Sequence, residues 1–412
     1  MKGDFIVKSN DDLIDIKSIR NDNLGGSKPD FLKAEVAKHV RKFHSSFKEY
    51  KATPLTSLKN LAEYLGIKNI YVKDESYRFN LNSFKVLGGT YAIARSLAEK
   101  LNRDIENLNF DILKSKEAKE ELGEITFITA TDGNHGKGIA WAATHLGHQA
   151  VIYLPDGSAQ KRVDAIRDVG GQAIVTNLNY DDTVAYAIKK AEENNWHLVQ
   201  DTAWEGYQKI PTWIMQGYTT MAEEIKLQLE LEGVEEPTHM FLQAGVGSMA
   251  GSILGYYINQ FDDYPITTII EPNEAACVYN SAAHDDGKTH KIEGDLKTDM
   301  AGLACGEANP LAWEILRDYA HMFISCNDYV SSRGMRILAN PIADDKQIIS
   351  GESGSVGLGL LSLLMEKDNL ISLKNELQLD ENSIVLIFNT EGATDTVNYR
   401  KIVWDGKDSL LD

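Results

Sequence analysis

From Ile125 onward the chain alternates short runs rich in β-branched and aromatic residues with stretches of helical periodicity. This alternation restricts the fold more than any other feature, because it is the pattern of parallel strands joined by covering helices. The first series is ITFITA (125–130), QAVIYL (149–154), QAIVT (172–176) and WHLVQ (196–200), each followed by a helical stretch. A second series runs through THMFLQ (238–243), TTIIEP (267–272) and the apolar run SIVLIF (383–388). The expected class is α/β, with two open, mostly parallel twisted sheets covered by helices.

The segment after QAVIYL illustrates the local logic. Ser158 is placed to cap a helix, Ala159, Val163, Ile166 and Val169 fall on one face, and Gly170 can end it in a left-handed conformation. That apolar stripe is expected to cover a sheet. The polar stretch from Asp285 to Lys291 reads as an exposed loop.

With 412 residues and 43% of them hydrophobic, the chain can build two ordinary domains. A formal net charge of -19 disfavours nucleic-acid and membrane partners. No apolar run approaches the length of a bilayer span, and Asp4, Asp11 and Asp12 interrupt the region where a signal peptide needs an apolar core. A cytoplasmic location is therefore expected. Cys277, Cys305 and Cys326 are too few and scattered for a disulfide scaffold or a structural zinc site, so no metal is expected. They are expected to be plain thiols, with a Cys277–Cys305 pairing left open.

Three loops carry the chemistry. In Asn82-Ser83-Phe84-Lys85-Val86-Leu87-Gly88-Gly89, Lys85 opens a helix. The positive end of the helix dipole and the apolar neighbours Phe84 and Val86 should disfavour its ammonium form, which is how a lysine becomes a nucleophile toward aldehydes. In isolation, a surface lysine is the ordinary alternative. Thr131-Asp132-Gly133-Asn134-His135-Gly136 follows a strand end, where open α/β sheets bind ligands, and Asn134 could donate to a phenolate oxygen. The bland alternative is an Asx-type turn that caps a helix.

The third loop is Gln243-Ala244-Gly245-Val246-Gly247-Ser248-Met249-Ala250-Gly251. Its amides and the Ser248 hydroxyl can cradle a phosphate. Ala250 stands at the sixth position counted from Gly245, so the dinucleotide fingerprint G-x-G-x-x-G is absent and a monophosphate is the better ligand.

A lysine after Ser-Phe, a Gly-Asn-His loop and a later glycine phosphate loop, in that order, resemble the tryptophan-synthase-β-like (fold type II) pyridoxal-phosphate enzymes. Thr53-Pro54-Leu55, Tyr71-Val72-Lys73-Asp74-Glu75 and Asn389-Thr390-Glu391-Gly392 extend the resemblance over nearly the whole chain. Within that family, the segments NSFKVLGG, TDGNHG, QDTAWEGY and AGLACGE are most similar to the diaminopropionate ammonia-lyases.

The resemblance implies pyridoxal 5'-phosphate as cofactor and a small amino acid as substrate. It implies that Lys85 forms the Schiff base, that Asn134 contacts the ring oxygen, and that Gly245, Val246, Gly247, Ser248 and Met249 hold the phosphate. Thr390 falls where the family sets a hydroxyl against the pyridine nitrogen, and a homodimer is implied as well. The implied division is a large cofactor-binding domain of residues 1–88 and 201–412, with residues 89–200 forming a small α/β domain.

Hydroxy-amino-acid dehydratases usually carry a small or hydroxyl residue where this chain has Asp132. A carboxylate there suits a substrate with a second amino group. Asp132 and Asp201 are the expected catalytic carboxylates, although Asp201 could equally be a turn residue, and His135 is expected to order its own loop. The activity implied is elimination from D- or L-2,3-diaminopropionate to give pyruvate and two ammonia. A serine or threonine dehydratase is the alternative. Glu352 and Ser353 are expected to line the ring pocket or to form a turn.

Overall fold

A computed structural model describes residues 14–131 and 133–409, together with the backbone of the strand Phe5–Lys8. The chain divides into two compact units, one formed by Met1–Asp30, Ala52–Tyr77 and Glu224–Asp412, the other by Phe31–Lys51 and Arg78–Glu223. Residues 31–51, 78–88 and 201–223 thus pack with the smaller unit, whereas the sequence groups them with the larger.

The larger unit contains a sheet of eight strands. From edge to edge they are Phe5–Lys8, Asp15–Arg20, Met322–Cys326, Ile266–Pro272, His239–Gln243, Ile384–Asn389, Asn69–Asp74 and Leu55–Ser57. Pairings from Met322–Cys326 through Asn69–Asp74 are parallel, and those toward both edges are antiparallel. Every residue of His239–Gln243, Met322–Cys326 and Ile384–Asn389 is buried, as expected of strands covered on both faces. Their Met240, Phe241, Val385 and Ile387 side chains belong to the core, and the helix Glu352–Glu366 adds Val356, Leu360 and Leu363.

The smaller unit holds a fully parallel sheet in the order Gln172–Val175, Gln149–Leu154, Thr126–Ala130 and His197–Leu198. Ile128, Val151 and Tyr153 pack with Ala187 and Ala191 of the helix Tyr180–Asn194. The helix Gln160–Asp168 buries Val163 and Ile166, and Gly170 takes a φ of 92°, as its sequence implies. Ser158 does not cap this helix: its hydroxyl donates back to the Pro155 carbonyl at 2.8 Å, and Ala159 occupies the cap position. A turn hydrogen bond formed three residues upstream has won the competition for that hydroxyl.

Among the described residues, no helix is long and apolar enough to cross a membrane.

Candidate functional site

Lys85 is the first residue of the helix Lys85–Lys100, and two close contacts fix where that helix lies. A Cβ on Gly138 would sit 2.9 Å from Val86 Cα, and one on Gly217 would sit 2.5 Å from the Leu87 carbonyl oxygen. The two helices bearing these glycines, Asn134–His145 and Lys209–Leu231, therefore touch the backbone next to the lysine directly. This brings the Asn134-His135 loop and the Lys85 helix into one structural group.

Asp201 joins that group. Its Oδ2 accepts a hydrogen bond from Lys85 Nζ at 2.7 Å and lies 3.9 Å from His135 Nδ1. The segment is held because the preceding Gln200 Oε1 accepts from Thr129 Oγ1 at 2.8 Å and from the Ala130 amide at 3.2 Å. The Tyr207 hydroxyl accepts from the Gln200 amide at 2.9 Å and donates to the Leu198 carbonyl at 3.0 Å. His135 is fixed from the other side, with Nε2 2.7 Å from the Val199 carbonyl, so this nitrogen must carry the proton. His135 thus orders its loop, as the sequence suggests, and also faces Asp201.

Burial pushes the Asp201 carboxyl up, yet the Lys85 ammonium, His135 and the Lys85 hydrogen bond outweigh it and hold the group well below the usual carboxylate range. The expectation that Lys85 is simply driven toward its neutral form is therefore modified: Phe84 and Val86 are indeed buried beside it, but a carboxylate partner stabilises its ammonium. The Phe84 ring also packs against Tyr218, whose phenol burial pushes up.

Asn134 is the first residue of its helix, and Thr131 Oγ1 accepts from the Gly133 and Gly136 amides at 3.0 and 3.2 Å, shaping the turn. Asp132 lies outside the described residues.

The larger unit carries the glycine loop of residues 243–251. The strand His239–Gln243 runs into Gly245 and Val246, Gly247 adopts a φ of 87°, and the helix Ser248–Gln260 begins. The left-handed Gly247 lets the chain turn directly from loop to helix, so Ser248 and Met249 start a helix with amides directed outward. Asn309 supports this turn: its amide donates to the Val246 carbonyl at 2.8 Å, and its Nδ2 donates to Ser248 Oγ at 2.8 Å.

Behind the loop, the Cys277 thiol donates to the Gly245 carbonyl at 3.4 Å, and a Cβ on Gly245 would fall 3.1 Å from Cys305 Sγ. None of the three cysteines is in a disulfide. Burial, with Glu271 and Cys305 nearby, pushes the Cys277 thiol well up, so it is not a nucleophile at neutral pH.

Thr390 follows directly on the strand Ile384–Asn389 and is buried. Gln243 Nε2 contacts Thr390 Oγ1 at 3.2 Å. Glu352 and Ser353 open the helix Glu352–Glu366 rather than forming a turn. Ser353 Oγ accepts from the Gly302 amide at 3.2 Å, and burial pushes the Glu352 carboxyl up to about 7 while Asn398 donates to it at 2.6 Å. Gln243 and Asn309 are the supporting residues to which the sequence assigns no role. Nothing in local sequence separates their amides from those of any other buried Gln or Asn.

The donor set fits an aldehyde-bearing, phosphorylated aromatic cofactor. The smaller unit offers an amine on a rigid helix, and the larger unit offers a helix start with a glycine loop suited to a dianion and a buried hydroxyl.

Comparison with known proteins gives the same chemistry. Residues 47–387 match the family model described as pyridoxal-phosphate dependent enzyme. The diaminopropionate ammonia-lyase of Escherichia coli (strain K12) is 52% identical over 388 residues, covering 94% of this chain and 95% of that protein. The crystal structure of Escherichia coli diaminopropionate ammonia lyase in complex with an aminoacrylate-PLP azomethine reaction intermediate is 49% identical. It superposes with a TM-score of 0.89, covering 96% of this chain and 99% of that one. The D-serine complex of the same enzyme is also 49% identical, with a TM-score of 0.90 and the same coverages. A relationship of this depth over nearly the full length of both chains leaves one assignment: the chain belongs to the pyridoxal-phosphate dependent enzymes and, within them, groups with the diaminopropionate ammonia-lyases.

Proposed function

We propose that the chain catalyses the α,β-elimination of 2,3-diaminopropionate, consuming one water and giving pyruvate and two ammonia. The observation that carries this reading is the Lys85–Asp201 pair, an amine on a helix N-terminus held at 2.7 Å by a buried carboxylate, in a chain half identical to enzymes of that name. Bound pyridoxal phosphate supplies the aldehyde that captures the substrate amine and the electron sink that makes its α-proton removable.

The chain's own groups do the rest. Lys85 holds the cofactor and, once displaced by substrate, is a base for the α-proton at Nζ. Asp132 is the second base, so that both enantiomers can be used. Asp201 keeps the lysine in place and exchanges a proton with Nζ, and His135 supports its charge. Asn134 donates to the ring oxygen, Gly245, Val246, Gly247, Ser248 and Met249 bind the phosphate, and Thr390 meets the pyridine nitrogen. The β-amino group leaves as ammonia only when protonated, which the carboxylates Asp132 and Asp201 favour. The working form is a cytoplasmic homodimer.

The test is stoichiometric. Diaminopropionate should yield two ammonia per pyruvate and be the preferred substrate. One ammonia per pyruvate, with serine or threonine preferred, would instead establish a hydroxy-amino-acid dehydratase.

A further inference from the structure

Gln243 ends the strand His239–Gln243 at 2% exposure, and its side-chain amide faces three oxygens. Nε2 is 2.9 Å from the Ser353 carbonyl, 2.8 Å from the Phe388 carbonyl and 3.2 Å from Thr390 Oγ1. Two backbone carbonyls accept and never donate, so only the NH2 end of the amide can face them. The amide orientation is thereby fixed by chemistry. The opposite end, Oε1, has no partner among the described residues, so satisfying that oxygen is not what holds the side chain in place.

The nitrogen has two hydrogens for three oxygens, so Thr390 Oγ1, the farthest at 3.2 Å, shares one with a carbonyl and meets no lone pair that could receive its own proton. The hydroxyl accepts on that side, and its own proton is turned away. Among the described residues no acceptor takes that proton, although Thr390 is only 4% exposed. A buried donor left without an acceptor is costly, so the geometry calls for an acceptor with a lone pair and no proton of its own. An unprotonated pyridine nitrogen is such a group.

We infer that Gln243 is a positioning residue that locks the Thr390 hydroxyl as a donor and thereby holds the cofactor's ring nitrogen unprotonated. This rests on the placement of Thr390 proposed above. Without Gln243 the hydroxyl could rotate and accept from a protonated ring, which strengthens the electron sink and opens a competing route. In that route the α-amino group and two electrons pass to the cofactor. Its aldehyde becomes pyridoxamine phosphate, and the substrate leaves as an α-keto acid that retains its β-amino group.

The test uses holoenzyme carrying Gln243→Met, Thr390→Val or both, with diaminopropionate as substrate. Three quantities are measured: the pyridoxamine phosphate formed per pyruvate, the pH dependence of the bound cofactor's visible absorbance without substrate, and the ratio of kcat to KM effects. Gln243→Met should raise pyridoxamine phosphate per pyruvate about tenfold, the equivalent of one lost hydrogen bond of about 1.4 kcal/mol, and should move the absorbance profile. It should lower kcat more than it changes KM. In the Thr390→Val background the same change should have no further effect.

An unchanged partition in Gln243→Met, or an equal rise with and without Thr390, overturns the inference. If Thr390→Val alone alters neither partition nor spectrum, the placement of Thr390 itself is wrong. Should Gln243→Met fail to fold, Gln243→Glu sets a carboxylate acceptor against Thr390 and carries the same expectation and the same refutation.

Discussion

Replacing Asp201 with Asn should make Lys85 faster at capturing the cofactor while making the enzyme slower at turnover. The Lys85 and Asp201 side chains are 22% and 9% exposed and meet at 2.7 Å, so the pair is only weakly screened. A hydrogen bond to a charged group contributes roughly 1.5–3 kcal/mol, and each pKa unit corresponds to about 1.36 kcal/mol. Asn retains an acceptor but not the charge, so much of that stabilisation of the Lys85 ammonium should be lost. A loss of about 1.4 kcal/mol or more raises its neutral fraction at a fixed neutral pH about tenfold or more.

Apoprotein of each form, mixed with pyridoxal phosphate across a series of pH values, reports this as the growth rate of visible absorbance. The Asp201→Asn profile should move toward acid, because the carboxylate that favours the ammonium is gone. A profile that coincides with the parent, or moves toward alkali, would refute the argument that Asp201 holds the lysine charged. Stability should respond in a related way. Because the folded-state carboxyl is held below its ordinary range, its stabilisation is present at neutral pH and is lost only as pH falls below about 3.9. The variant should therefore be the less stable at pH 7, and the two should converge in strong acid.

Other perturbations probe separate residues. Glu352 is raised from 4.5 to about 7, so the stability it contributes is complete below pH 4.5 and is lost as pH rises toward 7. Glu352→Gln should therefore remove up to about 3 kcal/mol of the difference in urea-unfolding free energy between acid and alkaline buffer; an unchanged difference would mean that the carboxyl titrates normally. Gly138→Ala puts a Cβ 2.9 Å from Val86 Cα, and backbone cannot yield as a side chain can. It should cost about 1–3 kcal/mol and reduce cofactor occupancy, read from the denaturation midpoint and the visible band, with full occupancy as the contrary result. Asp132→Asn should impair one enantiomer of diaminopropionate at least about a hundredfold more than the other, and equal losses in kcat/KM would remove the two-base scheme.

Much of this architecture could be read from the residues, for an identifiable reason. Parallel strands buried on both faces must be continuously apolar, which is why the segments around 128, 151, 241 and 386 stand out, and each is a strand in the structure. Lys85 and Gly247 were equally legible, because a helix start and a left-handed turn restrict the residues that can occupy them. The boundaries of the two units were not, since Phe31–Lys51 and Asp201–Glu223 join the smaller unit through contacts such as Gly217 against Leu87, which no local pattern encodes. Ser158 failed as a cap because two local hydrogen bonds compete for one hydroxyl at similar cost.

The supporting amides mark a deeper limit. Asn309 and Gln243 reach their hydroxyl partners across 61 and 147 positions of chain, so their roles exist only after folding. Both work in the same way, each setting a buried side-chain NH2 against a hydroxyl of the larger unit. A hydroxyl can donate or accept, and that ambiguity is a weakness where a ligand must be held in one protonation state. An amide whose other contacts are backbone groups removes the ambiguity, because its orientation is set by the fold rather than by the ligand. In Asn309 the anchor is the Leu311 amide, which donates to Oδ1 at 3.1 Å; in Gln243 it is the pair of carbonyls at Ser353 and Phe388. The specificity of such a hydroxyl is thus a property of the sheet and helix ends behind it, and substitutions there should alter the course of the reaction before they unfold the protein.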